Sequence, residues 1–149
     1  MFTVNAKASE AIAILANYNA ASVAASTVTT GWISAANHER FLAMISTGVL
    51  GASATLDAKL QQASDSSGTG AKDITGKAIT QIVKASGDNK VALINLRASE
   101  VDVANGFTHF RLSMTVGTAA SLLDAKVLGL VPRYEPSSAS NIAAVVETV

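Results

Sequence analysis

Thr55-Leu56-Asp57-Ala58-Lys59-Leu60-Gln61 alternates without a break: its odd positions are polar and its even positions apolar. A repeat of two is the signature of a β-strand with one face on a core and the other in water. A helix would set Leu56 and Leu60 on one side and turn Ala58 about 200° away from Leu56. The run ends in Ser64-Asp65-Ser66-Ser67-Gly68-Thr69-Gly70, all small or polar, which is turn chemistry. A run rich in β-branched residues follows at 74–83. The middle of the chain therefore reads as strand, polar loop, strand.

Working outward, a second alternation sets Phe110, Leu112, Met114 and Val116 on one face and His109, Arg111, Ser113 and Thr115 on the other. A third places Leu123, Ala125 and Val127 opposite Asp124 and Lys126. Residues 28–34 and 91–96 have strand composition. Residues 40–46 are apolar enough to suggest a strand buried on both faces. The polar turn Ala36-Asn37-His38-Glu39 between 28–34 and 40–46 implies an antiparallel hairpin, with His38 a turn residue. Asn105-Gly106 suits a tight turn, and Pro132 and Pro136 stop regular pairing. Residues 1–26 carry helix propensity around Glu10, yet Ile12 and Ile14 also suit alternation; they read as an N-terminal arm or edge strand. Residues 137–149 read as a C-terminal tail or edge strand. Seven strand candidates, eight or nine with the ends, give an all-β fold: an antiparallel β-sandwich of jelly-roll topology over residues 27–136, with extended N- and C-terminal arms.

The composition bounds the function. The 149 residues suffice for one domain with a real core. Apolar residues make up 49% and charged residues only 15%, a low charge that hints at surface covered by partner subunits. Net charge is zero, so no field recruits nucleic acid or an anionic membrane. Cysteine is absent, which excludes disulfides and thiolate metal sites. No signal-peptide pattern opens the sequence, and apolar runs fall short of the roughly 18 residues a membrane helix needs. The expectation is a soluble protein made in the cytoplasm.

No chemistry-bearing motif survives inspection, and the expectation is no catalytic residue, no cofactor and no metal. Residues 68–77 invite a phosphate-loop reading, but Ala71 stands where its first glycine belongs and Ala78 where its hydroxyl belongs. His38 and His109, the two histidines, have no spacing that makes a zinc cluster with Glu39 or Asp102. Residues 65–70 lack the regular ligand spacing of a calcium loop. No Gly-x-Ser-x-Gly elbow is present. Trp32, Phe41, Phe107, Phe110 and Tyr134 have no basic cluster around them and read as packing residues rather than a base-stacking platform. Arg111, between His109 and Ser113 on a polar strand face, is the candidate for an intersubunit salt bridge or carboxylate clamp; the alternative is an ordinary exposed arginine.

Gly31-Trp32-Ile33-Ser34, Phe41-Leu42-Ala43-Met44-Ile45, the 54–63 stretch, Asp73-Ile74-Thr75-Gly76-Lys77-Ala78-Ile79, and Asn105-Gly106-Phe107-Thr108-His109-Phe110-Arg111-Leu112 leading to Leu128-Gly129-Leu130-Val131-Pro132-Arg133-Tyr134 together resemble virion structural proteins of tailed bacteriophages. The resemblance spans residues 28–136 and includes no catalytic signature. It implies a capsid cement or decoration protein: a β-sandwich, homotrimeric, sitting on the outer capsid surface and bridging major capsid protein subunits at capsomer junctions. A tail or head-tail connector component is the alternative within the same set.

Overall fold

The computed structural model describes residues 5–149; the first four residues of the expected N-terminal arm lie outside it. Along the chain run β1 (Ile12–Val23), β2 (Ser26–Thr29), β3 (Ile33–Ser34), β4 (His38–Thr47), β5 (Thr55–Ala63), β6 (Lys72–Ala78), β7 (Ile82–Val83), β8 (Val91–Arg97), β9 (His109–Gly117) and β10 (Ser121–Pro132). One sheet has the order β1-β10-β4-β8 and the other β2-β9-β5-β6, with β3 added to β9 and β7 to β5. All pairings are antiparallel. Among the eight main strands the first half pairs with the second in reverse order: β1 with β10, β2 with β9, β4 with β8, β5 with β6. That is one long hairpin wrapped into two sheets, the jelly roll expected from strand count and spacing.

The alternations explain which faces meet. Leu56, Ala58 and Leu60 of β5 and Phe110, Leu112, Met114 and Val116 of β9 are buried, as are Phe41, Ala43 and Ile45 of β4 and Leu123, Ala125 and Val127 of β10. These inner faces fill the space between the sheets, and the rings of Phe41 and Phe110 meet across it with centroids 4.6 Å apart. β1 is one of the four strands of its sheet, so the sandwich takes in residues 12–23 as well as 27–136.

Four expectations need correction. The polar turn at 36–39 does not make a hairpin: β3 pairs with β9 and β4 with β10 and β8, so the chain crosses between sheets there. Ile33 and Phe41 are both buried, and the crossing places them in opposing sheets. His38 is therefore a buried strand residue of β4, not a turn residue. β4 is covered on one face only, with Leu42 and Met44 half-buried on the other, because a two-layer sandwich has nothing to lay there. Finally, 28–34 and 74–83 are each split. At Thr30 the side-chain oxygen accepts the Leu112 N–H and the strand breaks. Gly76 takes a positive φ of 75° inside β6, and that strand stops at Ala78 before β7 resumes on β5.

The inner-face assignment makes a quantitative expectation. Phe110→Ala should lower unfolding free energy by about 3–5 kcal/mol in urea denaturation, whereas Thr115→Ala, on the outer face of the same strand, should cost no more than about 1 kcal/mol. Equal losses at both positions would contradict it.

Candidate functional site

The two outer faces of the sandwich differ in kind. On the β2-β9-β5-β6 sheet the outward side chains satisfy one another. Thr27 and Thr115 share a hydroxyl hydrogen bond of 2.8 Å, and Gln81 donates to Asp57 Oδ2 at 2.8 Å. Arg111 donates through Nε and Nη2 to Gln61 Oε1 at 3.1 and 2.9 Å. Gln61 in turn donates to Asp73 Oδ1 at 2.9 Å, and Lys59 Nζ closes the chain on Asp73 Oδ2 at 2.7 Å. The Arg111 guanidinium also lies 4.4 Å from the Trp32 ring centroid, a stacking geometry that suits its planar charge. The lysine and the glutamine hydrogen bond hold the Asp73 carboxyl below the usual carboxylate range. Arg111 thus sits in a network within its own chain.

The outer face of the β1-β10-β4-β8 sheet interleaves leucine, isoleucine, valine and methionine side chains with charged and polar ones. Strand register arranges it in rows: Ile12, Leu130, Arg40 and Arg97; then Ile14, Leu128, Leu42 and Asn95; then Asn17, Lys126, Met44 and Leu93; then Asp124, Ser46 and Val91. Leu93 is 54% exposed, Val91 60% and Leu122 46%. Lys126 and Asp124 pair at 2.9 Å within the face. The arginines Arg40 and Arg97 stand directly opposite each other on adjacent strands, and neither joins an ion pair among the described residues. Nearby Glu100 is already spent on Lys77 Nζ and on the Arg97 amide, which hold its carboxyl below the usual range, the amide contributing most. Like charges facing each other across strands are destabilising. The exposed Leu93, Val91 and Leu122 beside half-buried Leu42 and Met44 make this face the candidate contact surface.

Sequence reasoning missed this face as a site, although its signal was present. The run 40–46 is apolar at both parities, and Leu122, Leu128 and Leu130 occupy positions that alternation assigns to water.

The remaining candidates are dispersed. His109 Nδ1 lies 2.9 Å from Thr108 Oγ1 at the head of β9. His38 is buried against Ser137: its Nε2 lies 3.0 Å from Ser137 Oγ, which lies 3.3 Å from the Gly129 carbonyl. The serine hydroxyl donates to that carbonyl and accepts from Nε2–H, leaving Nδ1 unprotonated, shut away from solvent and without a partner among the described residues. Gly129 is required beneath the ring, since a Cβ there would meet the His38 ring at 2.9 Å. Among the described residues no group of three His, Cys, Asp or Glu side chains could hold a metal ion. Asp65 in the 64–70 loop accepts the amides of Ser67 and Thr69 and is used as a turn former.

No family model and no curated protein matches the chain in sequence. Solved structures of similar shape include a chain of Broad Bean Stain Virus, with 12% identity, TM-score 0.43 and coverage of 72% of this chain and 62% of that one. This chain therefore spans less than two thirds of that one. The SPBc2 prophage-derived protein YomS gives 10% identity and TM-score 0.42 over 79% and 93% of the two chains. The CBM22-1-GH10 modules of Clostridium thermocellum xylanase 10B give 9% and 0.44 over 82% and 26%. At scores this low neither a family nor an activity follows.

The buried histidine sets a pH dependence. Desolvation by burial holds the His38 pKa below its ordinary 6.5. The unfolded chain then binds this proton more readily than the folded one, so stability present above pH 6.5 is lost as pH falls through that value toward the lower folded pKa. Denaturation curves taken downward from neutral pH should show this decline, and His38→Gln should flatten it. A decline of unchanged size in the variant would place its origin elsewhere.

Proposed function

We propose that the chain is a non-enzymatic structural protein of a phage head, a cement or decoration protein that bridges major capsid protein subunits at capsomer junctions. The observation that supports the reading is the contrast between a polar outer face whose side chains satisfy one another and an opposite face where Leu42, Met44, Leu93 and Val91 lie partly or largely exposed beside two arginines that form no ion pair among the described residues. A layer laid over Leu42, Met44 and Leu93 would give β4 the second burial its sequence asks for. The phage assignment rests on the resemblance of residues 28–136 to virion proteins. In this reading the protein acts as a homotrimer on the outer capsid surface, after synthesis in the host cytoplasm. The Leu93 face meets the shell. Arg111 keeps the donors not taken by Gln61 for a carboxylate of a neighbouring subunit. The function needs no cofactor, and it is met by buried area and not by a reaction.

Cryo-electron microscopy of purified virions tests the location: repeated density over capsomer junctions is expected. Density confined to the neck or tail would make the chain a connector or tail component, and absence from the particle would end the proposal. The face itself is tested by Leu93→Lys, which should weaken binding to purified heads about tenfold or more. Thr27→Lys on the polar face should leave binding within about twofold. Equal effects would detach the proposed contact from the Leu93 face.

A further inference from the structure

The four sheet edges are not equally protected. β1 is bulged at Ile14/Ala16 and Tyr18/Ala21. It is also clasped by the following chain, since the Ile14 N–H donates to Asn141 Oδ1 at 2.7 Å and the Ile142 N–H donates to the Ile14 carbonyl at 3.0 Å. β2 offers only four residues. β6 has a register shift, a positive-φ glycine and three charged side chains, Lys72, Asp73 and Lys77. β8 has none of these devices. It runs in unbroken register along β4 from Val91 to Arg97, with no Gly, no Pro, and Arg97 as its one charge. Its hydrogen-bond phase follows from the Thr47 N–H, which donates to the Lys90 carbonyl. Alternation then turns the N–H and C=O of Val91, Leu93 and Asn95 away from β4 and toward the open edge.

The same chain holds an unplaced strand. Residues 143–149 (Ala-Ala-Val-Val-Glu-Thr-Val) have four β-branched members, belong to no sheet, and expose Val146 by 93% and Val149 by 104%. In strand form Val145, Glu147 and Val149 would share one face. We propose that residues 143–149 of a second copy of this chain add to the open edge of β8 as a further antiparallel strand. The register that sets Val149 opposite Leu93 sets Glu147 opposite Asn95 and Val145 opposite Arg97, which brings Glu147 one step from Arg97 and its neighbour Arg40, neither of which joins an ion pair among the described residues. Charge complementarity thus selects the segment, and main-chain hydrogen bonds supply the affinity. Its own chain delivers this segment at the other edge, where Val145 and Glu147 lie near Ile12 and Ile14. Three strand spacings, about 14 Å, separate that edge from β8. The inference deepens the assembly reading by naming a self-contact, yet it is tested on the free protein without capsids.

The absence of native cysteine makes the test clean. Full-length chains carrying Leu93→Cys or Val149→Cys are mixed and mildly oxidised; both sites are exposed, and circular dichroism confirms the fold. The expected product is a Leu93→Cys/Val149→Cys heterodimer in excess of both homodimers. Adding Glu147→Gln should reduce it about two- to fivefold, the worth of one partly exposed ion pair. Heterodimer no more abundant than the homodimers would overturn the proposal, as would predominant Leu93→Cys homodimer, which signals two β8 edges pairing with each other. A disulfide closing within a single chain that carries both substitutions would also overturn it. Loss of this cross-link with head binding intact would leave the cement reading standing.

Discussion

Phe41 and Phe110, 69 positions apart in sequence, meet ring to ring in the space between the two sheets. Each sits on an interior strand of its own sheet, β4 between β10 and β8, β9 between β2 and β5. The rest of the structure depends on that meeting, because a jelly roll has no local unit that buries an apolar face by itself. Each strand finds its cover in the opposite sheet, and its neighbours come from distant parts of the chain. Burying two aromatic rings against each other contributes area and a favourable tilted geometry at once. The aliphatic rows of β5, β9, β4 and β10 extend the same layer to either side.

The faces of this sandwich were legible in the sequence, and its connections were not. Period-two alternation at 55–61, 110–116 and 123–127 reports which side chains point inward, because a one-residue slip would turn every one of them out. It says nothing of which strand lies alongside. Hence the false hairpin at 36–39: the polar turn is real, but it carries the chain from one sheet to the other. Breaks inside a strand were hidden for a related reason. Thr30 fits strand composition, and only the distant Leu112 amide shows that its hydroxyl replaces a backbone partner. His38 likewise reads as polar turn material until Ser137 and Gly129 close over it.

The face proposed for interaction was half legible. A stretch such as 40–46, apolar at both parities, reads as a strand covered on two sides, whereas in the structure only its face of Phe41, Ala43 and Ile45 is buried. What a single chain cannot supply is the second cover. The polar face makes the contrast physical: Arg111, Gln61, Asp73 and Lys59 spend their hydrogen-bonding capacity on one another in a continuous chain. On the opposite face, among the described residues, Lys126 pairs with Asp124 while Arg40 and Arg97 join no ion pair.

Where the chain leaves the sandwich is settled by packing as much as by sequence. Ser137 is buried, held between the His38 imidazole and the Gly129 carbonyl, and Asn141 and Ile142 close the edge of β1 a few residues on. These contacts root the segment firmly to the core as far as residue 142. Beyond it Val145 is half-buried near Ile12 and Ile14 while Val146 and Val149 stand in water, and burying even one of these two would contribute about 1.5–3 kcal/mol. A rooted segment that is apolar, β-branched and uncovered is costly to leave in water, and the same sheet presents an unprotected strand at its far edge. The two deficits complement each other in backbone, in apolar area and in charge. That complementarity is the physical basis of the contact proposed between copies.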